Sequence, residues 1–265
     1  MIDSSAPVGQ RLLARRNPVA KLAAALILSV LLLATLDPVA PAVALAAELA
    51  AVPLFGLRYA TVLRRMAPLL LSAAGVLVTL VLFAAERSGA VLLAAGPLTV
   101  TTGVLLTALG LALRLLAVAL PGVLVFATTD PTDLADALIQ NVRAPARFAI
   151  GALAAFRLVP LLSAEWRLLA MARRARGVDA GRNPARRIQQ FAATSFGLLV
   201  LAIRRGTRLA TAMDARGFDA GVPRTSARRQ RFTLADATLI AGAGGLGVLA
   251  LALAVAAGTF RPLVS

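Results

Sequence analysis

The chain has 265 residues, of which 59% are hydrophobic, and its mean hydropathy is +0.83; this is the composition of a membrane protein, not of a soluble domain. It carries 28 Lys and Arg against 12 Asp and Glu, so its formal net charge is +16. The absence of Cys and His excludes disulfides, thiol nucleophiles, histidine triads and the usual zinc sites.

The positive charge favours a membrane partner over nucleic acid. The arginines lie at the ends of apolar runs or in one central polar region, which is the positive-inside pattern. One Trp and one Tyr offer no stacking platform for bases. The carboxylates are few and scattered, so we expect neither a nucleic-acid partner nor a bound metal.

Long, unbroken runs of Leu, Ala and Val predict transmembrane helices and argue against a β-barrel. Each run is close to the roughly 20 residues that cross a bilayer core. The start of the chain lacks a cleavable signal pattern, so we expect the first helix to be retained. Five transmembrane helices are predicted, at about 19–36, 38–56, 68–85, 104–126 and 234–257.

A repeated pair of residues marks the helix starts. An Asn or Asp side chain can accept hydrogen bonds from the first N–H groups of a helix, and Pro at the first helical position has no N–H to lose. The pair occurs at Asn17-Pro18, Asp37-Pro38, Asp130-Pro131 and Asn183-Pro184.

The basic residues also predict the orientation. They precede the first predicted span, separate the second from the third at Arg58, Arg64 and Arg65, and recur from Arg143 onward. With four spans before the central polar region, all three zones face the cytoplasm. We therefore expect a multi-pass protein of the cell membrane with a cytoplasmic N-terminus.

The central polar region predicts helices without strands. It contains a short helix over 131–141 and two long amphipathic helices over 145–176 and 184–216, whose apolar faces suit an interfacial position. In the alternative, residues 148–162 span the membrane. The predicted fold class is an all-α membrane protein. Its parts are a four-helix transmembrane region (1–128), a cytoplasmic coupling-helix region (129–232) and a C-terminal transmembrane helix with its tail (233–265).

The most informative feature is a repeated phrase, Ala-Arg-Gly followed by an apolar residue and Asp-Ala-Gly, at residues 175–181 and 215–221. A single Gly after a helix end is usually a simple C-cap. Here the phrase occurs twice, and each copy lies at the end of a long predicted amphipathic helix. Each presents an Arg, with five planar donors, at a helix end, which favours docking on a partner with two equivalent sites.

At these residues the chain resembles the transmembrane T component of energy-coupling factor (ECF) transporters, a prokaryotic family that takes up vitamins and transition-metal ions. Three further segments resemble the family: Asn17-Pro18-Val19-Ala20-Lys21, the basic stretch from Arg64 to Leu70, and Thr128-Thr129-Asp130-Pro131-Thr132-Asp133-Leu134. The resemblance extends over about 17–221.

The resemblance implies an energy-coupling subunit with no catalytic activity and no cofactor, since ATP would be bound by partner subunits. The expected partners are two ABC-type ATPase subunits, a small substrate-binding membrane protein (the S component) and membrane lipid. It also implies which residues contact the ATPases: Ala175, Arg176, Gly177, Ala215, Arg216 and Gly217.

Two charged residues lie inside predicted spans, where they are costly. Arg114 is interpreted as a contact with a partner subunit, as a partner of Glu48, or as a structural residue bonded to a carbonyl. Gly242, Gly244, Gly245 and Gly247 form a candidate helix-packing face.

Two other functions stay open. A conventional ABC permease subunit would form its own translocation path, although no convincing Glu-Ala-Ala…Gly coupling loop is present. A membrane-bound hydrolase would depend on scattered residues such as Asp130 and Ser163.

Overall fold

The chain folds almost entirely into α-helices. The computed structural model describes residues 13, 16–35, 37–83, 89–95, 98–178, 181, 183–218 and 225–259. Over these residues it forms two compact units, one made of residues 1–142 with 230–265 and the other of residues 143–229. The elements are α1 (Pro18–Leu33), α2 (Val39–Ala51), α3 (Tyr59–Phe83), β1 (Val91–Ala95), β2 (Leu98–Thr101), α4 (Thr102–Thr128), α5 (Pro131–Asn141), α6 (Ala146–Ala175), α7 (Pro184–Ala215) and α8 (Leu234–Ala256).

The predicted helix starts are confirmed at three of the four Asx-Pro pairs. The side chains of Asn17, Asp130 and Asn183 each accept a hydrogen bond from a first-turn N–H of α1, α5 and α7, with Pro at the first helical position. At the fourth pair the helix begins one residue later than predicted. The Asp37 carboxylate still accepts the Ala40 N–H at 3.0 Å, so it satisfies one of the unpaired donors of α2.

The first unit packs through small side chains. Its core contains five fully buried alanines of α2, α4 and α8, which let these helices approach α1 closely. A side chain at Gly247 would meet Leu31 of α1, because an added Cβ would lie 2.6 Å from the Leu31 Cδ1 atom. By contrast, a Cβ at Gly245 would have nothing within 4 Å. The glycine face predicted on α8 is therefore in contact at Gly247 and open at Gly245.

The all-α membrane fold is confirmed, although two of the helices are shorter than the predicted spans. The helices α3, α4, α6 and α8 are long and apolar enough to cross a membrane among the described residues, whereas α1 has 16 residues and α2 has 13. The α2 helix ends at Ala51; Val52 keeps right-handed helical angles (φ −49°, ψ −49°), and Pro53 after it has no N–H to continue the helical hydrogen bonds. By length and composition alone, α6 fits the alternative in which residues 148–162 span the membrane as well as the interfacial position.

The third predicted span is the C-terminal part of a longer helix. The α3 helix begins at Tyr59, and Pro68 lies inside it. Leu71, Val78 and Phe83 are 76%, 58% and 79% exposed in the chain. Apolar side chains exposed along a span of this length are typical of a lipid-facing helix.

Two short strands lie between α3 and α4, where the sequence analysis predicted none. β1 and β2 pair as an antiparallel hairpin with one irregularity between Val91 and Leu93. The β-branched run Thr99-Val100-Thr101 favours extended structure, and the sequence Gly96-Pro97 before it is of a turn-forming type.

The second unit consists of α6 and α7 and the segments that follow them. Their bounds match the predicted long helices to within a residue or two. They cross with the C-terminal half of α6 against α7. Trp166 packs on Phe191 with ring centroids 5.2 Å apart and the ring planes tilted by 56°, and Arg173 donates to the Gln190 carbonyl at 3.0 Å and to the Thr194 hydroxyl. Arg205 forms an ion pair with Glu165.

Candidate partner-docking site

The end of α6 forms a Schellman motif, a backbone turn that closes a helix with two hydrogen bonds. The Gly177 N–H donates to the Arg174 carbonyl and the Val178 N–H donates to the Arg173 carbonyl, both at 3.0 Å. Gly177 has a φ of 71°, a left-handed conformation that costs an L residue about 1–2 kcal/mol. Arg176 is the last residue before this turn, with φ −88° and ψ 9°.

The end of α7 repeats this turn. The Gly217 N–H donates to the Asp214 carbonyl at 2.9 Å, and the Phe218 N–H donates to the Met213 carbonyl at 3.0 Å. Gly217 has a φ of 70°, and Arg216 has φ −92° and ψ 9°. The two Ala-Arg-Gly segments therefore adopt the same backbone conformation within a few degrees, and each places its Arg at the same point of the turn. Asp179 and Asp219, the acids of the repeated phrase, lie outside the described residues.

The two guanidinium groups are available for contact. Arg176 and Arg216 are both exposed, and neither side chain has a hydrogen bond or ion pair within the described part of the chain. A guanidinium without a partner offers five donors in a planar fork, which suits carboxylates and backbone carbonyls. The arrangement can therefore bind an acidic or carbonyl-lined groove, and it offers two such contacts.

The structure also gives the spacing of the two helix ends, which are called the first tip (residues 175–178) and the second tip (residues 215–218). The first tip lies against the N-terminal part of α7, since the Gln190 side chain donates to the Val178 carbonyl at 3.4 Å. The 26 positions from Gln190 to Arg216 extend about 40 Å at 1.5 Å per residue. The two arginines are therefore held at opposite ends of one long helix, too far apart to share a single groove.

A second contact joins two segments on which the family resemblance rests. Lys21 of the Pro-x-x-Lys segment is 2% exposed, and its ammonium donates to the Thr128 carbonyl at 2.9 Å and the Thr129 hydroxyl at 3.5 Å. The carboxylates of Asp133 and Asp236 lie near enough to act on its charge. The start of α1 is thereby fixed to the end of α4, from which α5 begins. The sequence separates these residues by 107 positions and gave no sign of the contact.

Asp236 is a structural residue that the sequence analysis missed. It is 2% exposed, accepts the Asn17 N–H at 3.0 Å, and forms a capping box with Thr233 at the start of α8. The spacing Thr233-x-x-Asp236 is a capping-box pattern that could have indicated the helix start. The contact with Asn17 depends on how α1 and α8 pack.

The structure does not pair the two charged residues of the predicted spans. Arg114 donates from Nε and Nη2 to the Leu32 carbonyl, at 3.2 and 3.1 Å, and this matches the carbonyl-bonded interpretation. Glu48 is 5% exposed, and neither of its carboxylate oxygens has a hydrogen-bond partner in the described part of the chain. Arg114 therefore holds the end of α1 on α4, whereas Glu48 has no structural role of this kind.

These features define a class: a membrane-embedded helical protein whose second unit carries two equivalent arginine-bearing helix ends. The sequence matches the family CbiQ, described as "Cobalt transport protein", over residues 9–227, and the chain belongs to this family.

Similar proteins carry the name "Energy-coupling factor transporter transmembrane protein EcfT". The chain is 31% identical over 159 residues to the one from Staphylococcus aureus, covering 57% of this chain and 59% of that protein. It is 33% identical over 171 residues to the one from Exiguobacterium sibiricum, covering 62% and 65%. It is 30% identical over 203 residues to the one from Thermosediminibacter oceani, covering 74% and 76%. The matches to the first two thus span about three fifths of those proteins, and together these findings confirm the resemblance to T components.

Proposed function

We propose that this chain is the energy-coupling transmembrane subunit of an ECF-type importer, with no catalytic activity of its own. The single observation that carries the proposal is the pair of matching helix ends at Arg176 and Arg216, with equal backbone geometry and with guanidinium groups that have no partner among the described residues. The names of the similar proteins support the same function.

The two arginines dock on two ABC-type ATPase subunits, one at each tip. A separation of about 40 Å along α7 suits a partner that repeats one groove about a twofold axis, since one compact groove could not take both tips. The flanking residues Ala175, Gly177, Ala215 and Gly217 shape the tips. The small alanines allow close approach, and the glycines provide the left-handed turn.

The α6 and α7 helices then transmit the movement of the ATPases to a separate membrane subunit that binds the substrate, a vitamin or a metal ion. The contacts between them support transmission by a stiff pair of helices. The Arg173–Thr194 hydrogen bond, the tilted Trp166–Phe191 ring contact and the Arg205–Glu165 ion pair connect the two helices at several points along their length.

Charge reversal at both tips tests the docking. When Arg176→Glu and Arg216→Glu are combined and the chain is co-expressed with its ATPase subunits, we expect co-purification to fall about 30-fold for each tip, because a lost interface arginine costs about 2 kcal/mol. The matched control is Arg204→Glu with Arg208→Glu, which makes the same charge change at exposed positions of α7 away from the tips. Equal loss in both variants, or full retention in the tip variant, would refute docking through the tips.

The N-terminus is proposed to be cytoplasmic, together with α6 and α7. The chain has no Cys, so an introduced cysteine is a unique label site. We expect Ser226→Cys to be protected from an impermeant thiol reagent in intact cells and Ala90→Cys, in the α3–α4 segment, to react. The opposite labelling pattern would reverse the orientation.

A further inference from the structure

The pocket between α6 and α7 has an unusual combination of charge and apolar surface. It has a volume of about 540 Å³ and lies beside the first tip. Arg173, Arg174 and Arg187 contribute three guanidinium groups, and Trp166 and Phe191 contribute the aromatic wall. All of these residues belong to the second unit.

No described residue neutralises the guanidinium groups in this pocket. Arg173 uses one nitrogen to bond the Gln190 carbonyl and the Thr194 hydroxyl, and Arg174 bonds only the Ala170 carbonyl, at 3.4 Å. Arg187 makes no bond to the described residues. None of the three pairs with a carboxylate over those same residues. The sequence offers few counter-charges, because residues 143–229 contain 17 arginines and four acids.

The pocket also exposes apolar surface beside these charges. Phe191 is 61% exposed and Ile188 is 69% exposed. Trp166, half-buried against Phe191, is of the residue type enriched where a membrane meets water. A free inorganic anion would use only the guanidinium groups and leave this apolar wall in water, whereas a ligand with an anionic head and an apolar body would cover both.

We propose that this pocket binds the headgroup of an anionic phospholipid, with the phosphate on Arg173, Arg174 and Arg187 and the upper acyl chain against Trp166, Phe191 and Ile188. Phosphate accepts bidentate hydrogen bonds from arginine, and basic pockets between helices on the cytoplasmic side suit anionic headgroups. Val178, which closes the turn after Arg176, also lines the pocket, so the bound headgroup contacts the segment that presents the first tip.

The single tryptophan of the chain provides the test. Trp166 lines the pocket, so its fluorescence reports contact with a lipid whose acyl chains carry bromine. The full chain in neutral detergent is titrated with brominated phosphatidylglycerol and, separately, with brominated phosphatidylcholine. We expect saturable quenching by phosphatidylglycerol at a mole fraction at least tenfold below that for phosphatidylcholine.

The pocket variant is Arg174→Gln combined with Arg187→Gln; both residues are exposed, so the fold is retained. Each arginine near an anionic lipid contributes about fivefold in affinity, so half-quenching should require about 25 times more phosphatidylglycerol. The matched control, Arg204→Gln with Arg208→Gln, removes the same charge from α7 outside the pocket and should stay within twofold of the natural chain.

Four outcomes would overturn the proposal. Equal quenching by the two lipids would show that the pocket does not select an anionic headgroup. Equal loss of phosphatidylglycerol binding in the pocket and control variants would indicate general charge attraction. Displacement of phosphatidylglycerol by millimolar inorganic phosphate would assign the site to a free anion. If the pocket variant instead keeps its lipid response and loses ATPase co-purification, the pocket is a protein interface. Failure of lipid binding leaves the tip-docking test of Arg176 and Arg216 unaffected.

Discussion

Replacing Glu48 by Leu should make the isolated chain more stable. The carboxylate is 5% exposed, has no hydrogen-bond partner among the described residues, and lines a cavity of about 260 Å³ whose walls include Leu28, Phe55 and Leu124. Burying a polar group without a partner costs about 1–3 kcal/mol in proteins. Leu is of similar size and would contact the apolar wall, so Glu48→Leu should recover most of that amount.

Thermal unfolding of the purified full chain in detergent measures the effect. A gain of about 1 kcal/mol corresponds to a rise in Tm of about 2–4 °C for a chain of this size. The matched control is Glu165→Leu, which removes an acid that is paired with Arg205 and should give no gain. A lower Tm for Glu48→Leu than for the natural chain would refute the reasoning, because it would mean that the buried carboxylate has a stabilising partner.

The same variant tests whether Glu48 contacts a membrane partner. Residues kept for binding often lower the stability of the free protein. If Glu48 faces the substrate-binding subunit, Glu48→Leu should raise Tm and reduce co-purification of that subunit. A raised Tm with unchanged co-purification would limit Glu48 to the interior of this chain.

Three further predictions concern the tips and the packing of the first unit. Gly177→Ala combined with Gly217→Ala should reduce ATPase co-purification about 5- to 30-fold per tip, because each Ala costs about 1–2 kcal/mol in the left-handed conformation. Helix content measured by circular dichroism should stay constant. Unchanged binding would show that the left-handed turn is not needed for docking. Lys21→Met should lower stability in thermal unfolding by about 1.5–3 kcal/mol, since it removes a charged hydrogen bond between the start of α1 and the end of α4, and an unchanged Tm would contradict that role. Gly247→Ala should destabilise by about 1–3 kcal/mol because its Cβ meets α1, whereas Gly245→Ala, in open space, should not; equal effects of the two would refute the α1–α8 packing.

Local signals in the sequence predicted the features that depend on a few neighbouring residues. An Asn or Asp before Pro indicated helix starts at Asn17, Asp130 and Asn183, because the cap bond involves only the next two or three residues. The Gly of each Ala-Arg-Gly segment predicted the end of α6 and of α7, because a left-handed residue stops a helix. The two helix ends of the candidate site could therefore be predicted largely from the sequence.

Contacts between distant segments could not be predicted in the same way. Nothing local indicates that Lys21 meets Thr128 or that Arg114 bonds the Leu32 carbonyl, because both depend on how α1 packs on α4. The pairing of Arg114 with Glu48 was attractive on charge alone, yet the fold satisfies the Arg with a carbonyl. The β1–β2 hairpin was missed because its strands are only five and four residues long, too short for a clear alternation.

The buried residue Thr194 divides α7 into two arms of unequal length. Thr194 is the buried residue of this helix, ten positions after Pro184 and 22 before Arg216, so the two arms measure about 15 and 33 Å. If the proposed coupling turns α7 about Thr194, Arg216 moves roughly twice as far as the other end of the helix. Such a turn would also stretch the Arg205–Glu165 ion pair, which lies on the longer arm.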